Sequence, residues 1–362
     1  MAKARLMDRP EDYEKLGVNP DEVEIWEDRR RNLDTGINNW EWWYFDSILD
    51  DGSNVVVQFF TKSGRNLGAE GDHPEVTVKI TAPDGTAYQK SFSYKPEETS
   101  YGDAQCDVKF GPHRFCGDLK NYTICVEETE GVGMDLKLES HSEPYRPGTA
   151  YFTFDKEDEF YTWFCVVPKG SVTGTLTYGG KTIQVSGSGY HDHQWGNVNF
   201  HREWNNWVWA RQTFEDCSIT LFDYVSAEKT EYTRIPIVFV QDQDGKIIFE
   251  STHGVECRID GEYRDEEFSG KVYPRGLNYT FENGGKKLEY SLNDKKIIEA
   301  RGIRKLPAKL KMIMEKAGMD PSYTRYLADG SMKLTAGAGT MERSGELIYE
   351  FMFPGKTWKG YM

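Results

Sequence analysis

The sequence predicts an all-β protein built from two tandem antiparallel β-barrels, with one amphipathic helix in the second. Three observations carry that expectation. Short apolar segments recur between turn signals at a spacing of about 8–12 residues, which suits sandwiches and barrels rather than helical folds. The chain is 38% hydrophobic and 14% aromatic, so its apolar content rests on rings more than on leucine, which suits half-buried pleated surfaces. Asn39-Trp40-Glu41-Trp42 returns as Asn206-Trp207-Val208-Trp209 at an offset of 167 residues, each followed by a polar turn and an apolar strand. Two copies of one β unit account for that repeat.

In chain order, residues 1–36 are charged and read as an arm, with residues 21–27 forming a short helix or a clamp. The first barrel is expected over 37–190. It opens at 38–46, turns through Asp50-Asp51-Gly52-Ser53 and returns at 55–60, a hairpin pattern with glycine in the turn. Segments 76–80, 87–94, 108–110, 122–127, 134–139 and 171–178 continue it. The second barrel is expected over 191–362, with strands from 218–225 and 235–241 to 347–353. Residues 305–317 break the pattern: Leu306, Leu310, Ile313, Met314 and Ala317 share a helical face, Pro307 lies in the first turn and Gly318 follows the last. Packing against the second barrel is the expected use of that face. Peripheral membrane contact, helped by Lys309, Lys311 and Lys316, is the alternative.

Charge and motifs narrow the chemistry. A net charge of -15 repels a nucleic-acid backbone. The first eight residues lack the apolar core of a signal peptide, and no apolar run reaches the roughly 18 residues of a membrane span. Six scattered cysteines without a Cys-x-x-Cys pair read as reduced thiols of a cytoplasmic protein. There is no phosphate-binding Gly-x-x-x-x-Gly-Lys loop and no Gly-x-Ser-x-Gly elbow. No nicotinamide, flavin or other cofactor is expected.

The stretch that calls for chemistry is Gly189-Tyr190-His191-Asp192-His193-Gln194-Trp195-Gly196-Asn197. On a strand, His191, His193 and Trp195 point to one face, with the histidine Cα atoms about 6.6 Å apart. Two such histidines suit a metal ion, but no further ligand stands at a telling spacing, so no metal is expected. Asp223 shares the otherwise apolar face of residues 218–225 with Ile219, Leu221 and Val225. Burial raises a carboxyl's pKa and makes it a proton donor near neutral pH, whereas pairing with an arginine makes it structural. Glu41 shares a face with Trp43 and Phe45 and raises the same question. Trp42, Tyr44, Trp207, Trp209 and Tyr224 are candidate walls of an apolar pocket, and are equally the ordinary core of such a fold.

Glu41-Trp42-Trp43-Tyr44-Phe45-Asp46 together with Tyr190-His191-Asp192-His193-Gln194-Trp195-Gly196-Asn197 resembles the carotenoid 1,2-hydratase and AttH-like superfamily, to which fungal lipocalin-like cyclases, Diels–Alderases and kievitone hydratase are related. The resemblance runs from about residue 38 to the end and implies two tandem lipocalin-like barrels. It further implies cofactor-free hydration, dehydration, cyclisation or isomerisation of hydrophobic unsaturated substrates such as terpenoids, polyenes or polyphenols. His193 and Trp195 match the family's His-x-Trp pair. Asp223 falls at its acid, but Leu221 stands where a tyrosine is expected, so Tyr190 or Tyr224 would supply a phenol. The expected enzyme protonates its substrate from Asp223 or His193, with His191, Trp195 and Tyr190 beside the reacting group. A carrier of hydrophobic ligands is the alternative.

Overall fold

The computed structural model describes residues 3–156 and 158–356; the first two residues of the expected arm and the last six of the expected second barrel lie outside these. The first sheet contains strands β1 (Trp40–Leu49), β2 (Asn54–Phe60), β3 (Glu75–Thr81), β4 (Ala87–Ser93), β5 (Thr99–Tyr101), β6 (Cys106–Phe110), β7 (His113–Gly117), β8 (Asn121–Thr129), β9 (Val132–Ser140), β10 (Phe164–Tyr178) and β11 (Lys181–Gly196). The second contains β12 (Trp204–Thr213), β13 (Cys217–Ser226), β14 (Arg234–Asp242), β15 (Ile247–Ser251), β16 (Glu256–Arg264), β17 (Val272–Asn283), β18 (Lys286–Gly302), β19 (Ser322–Ala336) and β20 (Gly339–Phe353).

The order is β4-β3-β2-β1-β11-β10-β9-β8-β7-β6-β5 in the first sheet and β15-β14-β13-β12-β20-β19-β18-β17-β16 in the second. In both, the first long strand pairs with the last, and each sheet curls into an antiparallel, lipocalin-like half-barrel. The Asn-Trp-x-Trp repeat marks the same strand in each: β1 lies between β2 and β11, and β12 between β13 and β20. Alternation sets the inner face. In β2, Val55, Val57 and Phe59 are fully buried while the residues between them are not, as the two-residue period of a strand requires. The turn before β2 needs a left-handed residue, and Gly52 supplies it at φ 88°.

The units divide at a different point from the one expected. A boundary at 190/191 would cut β11, whose ten residues Gly187–Gly196 pair along β1. The first unit instead comprises Leu6–Phe152 and Asp158–Asn199, and the second contains the described residues from Phe200 to Lys356. Most of the arm therefore belongs to the first unit. A 3-10 turn (Ile25–Asp28) lies within it. Arg146 grips this turn, its Nη1 donating to both oxygens of Glu27 at 2.7 Å while Nη2 bonds the Asn19 carbonyl.

The helix is shorter than expected. α1 (Pro10–Leu16) lies in the arm, α2 (Phe200–Glu203) precedes β12, and α3 (Ala308–Lys316) is the amphipathic one. No α3 residue is buried, and Leu310, Met312 and Ile313 are between 44% and 50% exposed. Packing of this helix into the second core is thus corrected: that core closes with tyrosine and phenylalanine from the strands, including Tyr273, Tyr326, Tyr349 and Phe353. All six cysteines are free thiols.

Candidate functional site

The histidine-bearing strand β11 runs antiparallel to β1, with His191 opposite Phe45, His193 opposite Trp43 and Trp195 opposite Glu41. These six side chains share one face, turned into the first core. Both histidines and Glu41 are completely buried. His193 stacks on Trp43 with ring centres 4.7 Å apart and meets the Trp195 ring at the same distance but tilted by 47°.

The arm completes the cluster with a residue that strand patterns did not reveal. Asp28, at the end of the 3-10 turn, is also fully buried. Its Oδ2 accepts the Tyr122 hydroxyl at 2.6 Å and lies 3.2 Å from His191 Nε2. Its Oδ1 stands 3.1 Å from His193 Nδ1, close enough for an ion pair yet not aligned as a hydrogen bond. His193 Nε2 donates to Glu41 Oε1 at 2.7 Å. The Glu41 oxygens also accept the backbone N–H groups of Arg31 at 2.7 Å and Asn32 at 2.9 Å. The Tyr44 carbonyl only accepts, so the 2.8 Å bond from His191 Nδ1 places a proton on that nitrogen. The Arg31 guanidinium lies beside the cluster, 5.0 Å from the Trp195 ring and 4.6 Å from that of Trp26.

Electrostatics follow from this geometry. Burial alone would push His193 down, but hydrogen bonding and attraction from Asp28 and Glu41 outweigh it and raise its pKa above the ordinary value. Burial alone would push the Asp28 carboxyl up, and the attraction and hydrogen bond of His191 with the closeness of His193 instead hold it below the usual carboxylate range. The result is the His193 ring held between the acidic side chains of Asp28 and Glu41, away from water and beside two indoles. Nε2 of His193 is bonded to Glu41, while Nδ1 faces Asp28 at ion-pair distance only.

The other face of β11 differs. Tyr190 donates to Asp192 Oδ2 at 2.9 Å, and Trp163 and Gln194 also bond this carboxyl. Burial pushes Asp192 up despite the opposing bonds of Gln194, Tyr190 and Trp163. Trp42 and Tyr44 share this side: Trp42 stacks on Trp40 at 4.4 Å, and the Tyr44 hydroxyl bonds Asp46 at 3.2 Å. Tyr190, Trp42 and Tyr44 are therefore not brought to the His191–His193 cluster, because alternation puts them on the opposite face.

The second unit holds the remaining candidates. Asp223 lies on the inner face of β13, but Arg234 clamps it through two bonds of 2.8 and 2.5 Å, and the Tyr279 hydroxyl adds a third at 3.1 Å. The expected proton donor is corrected to a paired carboxylate, since a guanidinium stabilises the ionised form. Tyr224 is fully buried and stacks on Trp204 and Phe222, at 4.6 and 3.9 Å. Trp207 and Trp209 are half-buried on the side of β12 away from the core.

A two-sheet lipocalin-like β protein, with a buried cluster of histidine and acidic side chains where the first and last long strands of the first sheet pair, is the class defined by this fold and site. The AttH-like family model matches residues 34–297, and the chain belongs to that family. It is 24% identical over 204 residues to the quinolone epoxide rearrangement protein asqO of Emericella nidulans, covering 53% of this chain and 56% of that protein. It is 26% identical over 269 residues to the quinolone epoxide rearrangement protein penF of Penicillium thymicola, covering 67% and 71%. The chain thus spans little more than half the length of the first of these relatives. Among solved structures, a putative AttH of Nitrosomonas europaea superposes with TM-score 0.59 at 15% identity, covering 94% of this chain and 99% of that one. This shared architecture supports the lipocalin-like fold.

Proposed function

We propose that the protein is an acid–base enzyme that rearranges, cyclises or hydrates a hydrophobic unsaturated substrate, without metal or cofactor, and that His193 is its proton donor. The observation that carries this reading is the buried His193 ring set between Asp28 and Glu41 at 3.1 and 2.7 Å. A proton held in a dry site is available to an epoxide oxygen or a polarised alkene, and the conjugate imidazole can take it back from carbon or water. The indole faces of Trp43 and Trp195 would favour positive charge developing on the substrate. The activity named for the two fungal relatives, rearrangement of a quinolone epoxide, is a reaction that such a donor can start.

Access to the cluster lies through the arm. Asp28 and Arg31 sit on a short turn and its extension, not on the sheet. Lifting that segment opens the cluster without breaking a strand, and would replace the Asp28 contact by substrate.

Incubation in heavy water with a panel of aryl epoxides, polyenes, terpenols and chalcone-like phenols tests the reading by mass spectrometry. Uptake of one deuterium marks isomerisation or cyclisation, and uptake of one heavy water marks hydration. Both are expected to vanish in His193→Gln and to survive in Asp223→Asn. Retention of ligands through gel filtration with no mass change in any of them would leave a carrier and overturn the proposal.

A further inference from the structure

The internal repeat gives the second sheet a counterpart of the His193 position. At the 167-residue offset Trp43 corresponds to Ala210. Trp43 stands opposite His193 in the closing strand of its sheet, and Ala210 stands opposite Tyr349 in the closing strand of the other. Tyr349, like His193, is tied to a carboxyl group: its hydroxyl donates to Asp294 Oδ1 at 2.5 Å. Asp294 follows Tyr290 and Leu292 on the inner face of β18, as alternation dictates.

Two donors are left over. Asp294 Oδ2 is buried with no hydrogen-bond partner among the described residues. The Tyr326 ring lies on that of Tyr349 at 4.8 Å, and its hydroxyl meets the Tyr263 hydroxyl at 2.6 Å. One bond between two phenols uses one of their two protons, so the pair has another to give. The groups facing Asp294 come from every surrounding strand: Tyr263 on β16, Arg275 on β17, Tyr326 on β19 and Tyr349 on β20. Burial pushes the Asp294 carboxyl up to about 7, against the opposing effects of the Tyr349 bond and of Arg275. Below that pH it carries a proton. Oδ1 already accepts from Tyr349, so the proton belongs on Oδ2, the oxygen without a partner. A buried hydroxyl without an acceptor is costly, and native structures rarely keep one without a use.

We propose that the second sheet carries a ligand site of its own, in which Asp294 and the Tyr263–Tyr326 pair donate hydrogen bonds to the carbonyl, epoxide or hydroxyl oxygen of an otherwise apolar molecule. The rings of Tyr263, Tyr326 and Tyr349 supply the apolar wall. The repeat thus carries one acid in each half: a histidine in the first sheet and a carboxylic acid in the second. The second site stands on its own residues and holds whether or not His193 is the proton donor of a reaction.

The test uses the full chain and trans-chalcone labelled with ¹³C at its carbonyl, followed by infrared spectroscopy and fluorescence titration. In the wild type at pH 6 the bound carbonyl band is expected to move to lower wavenumber, and to return between pH 6 and pH 9 as Asp294 ionises. Asp294→Ala should remove the shift and weaken binding about tenfold, the loss of one buried hydrogen bond. Tyr349→Phe, which keeps the ring and removes its bond to Oδ1, should alter the pH at which the wild-type band returns. A carbonyl band that does not respond to pH in the wild type overturns the proposal without any variant. So does a band and affinity unchanged in Asp294→Ala, or no binding of chalcone at all.

Discussion

Trp43 and His193 face each other across β1 and β11, and their rings stack with centres 4.7 Å apart and planes 20° from parallel. This contact fixes the imidazole plane, so that its two nitrogens meet Glu41 from one side and Asp28 from the other. An indole face also favours the charged form of the ring it touches. Trp43→Leu is expected to leave a folded protein with a lower His193 pKa, read by NMR as an imidazole titration displaced to lower pH.

His193→Gln removes the ring that stands between the buried Asp28 and Glu41. Breaking such a pair from one side costs about 3–5 kcal/mol, because a charge is left unpaired in a dry interior. The double variant Asp28→Asn/His193→Gln should recover part of that loss. Urea unfolding of the four members of the cycle measures the coupling; strict additivity would show that the two residues do not interact.

The same pair sets a pH window. His193 has a folded pKa above its ordinary 6.5, so its stabilising effect is full below that value and is lost as pH rises through the folded pKa. Asp28 is depressed below its ordinary 3.8, so its effect is present above that value and is lost as pH falls. Stability is expected to decline on both sides of the window. His193→Gln should flatten the alkaline decline in denaturation curves from pH 6 to pH 9.

Arg146 and Glu27 form an ion pair that is 4% and 2% exposed and holds the Asp28 turn to the first unit. Arg146→Met should destabilise by about 3 kcal/mol, since Glu27 would remain buried without its cation. Amide hydrogen exchange is expected to rise at residues 24–32 while β1 and β11 stay protected. Equal deprotection of those strands would show that the arm is not a separable cover.

Arg234 plays the corresponding part for Asp223. Arg234→Met should cost about 3 kcal/mol by leaving the carboxylate unpaired, and Asp223→Asn/Arg234→Met should recover most of it. By contrast, Leu310→Gln and Ile313→Gln on α3 should change stability by no more than about 0.5 kcal/mol, because neither side chain is buried. Thermal unfolding of these variants separates the two kinds of position.

Much of the fold was legible because strands record burial at a two-residue period. The hairpin at Gly52, the inner triplet Val55, Val57 and Phe59, and the Asn-Trp-x-Trp repeat all appear as local patterns, and each occupies the place its pattern implies. The common face of His191, His193 and Trp195 followed from the same period, as did the company Glu41 keeps with Trp43 and Phe45. Helix α3 misled because its amphipathic pattern says which face is apolar, not whether another surface covers it.

By itself the sequence determined the all-β class, the doubling of one β unit and the strand that bears the histidines, because these depend on neighbours within a few residues. Only the tertiary structure decided which groups meet. Asp28 is 163 residues from His191 and Glu41 is 152 from His193. Nothing local marks Asp28 as their partner, since it lies in an irregular arm where side-chain direction has no fixed period. Asp223 looked like a lone acid on an apolar strand until Arg234, on the neighbouring strand, closed over it. An ionisable residue takes its role from the charge folded against it, and chain reversal, not sequence proximity, chooses that charge.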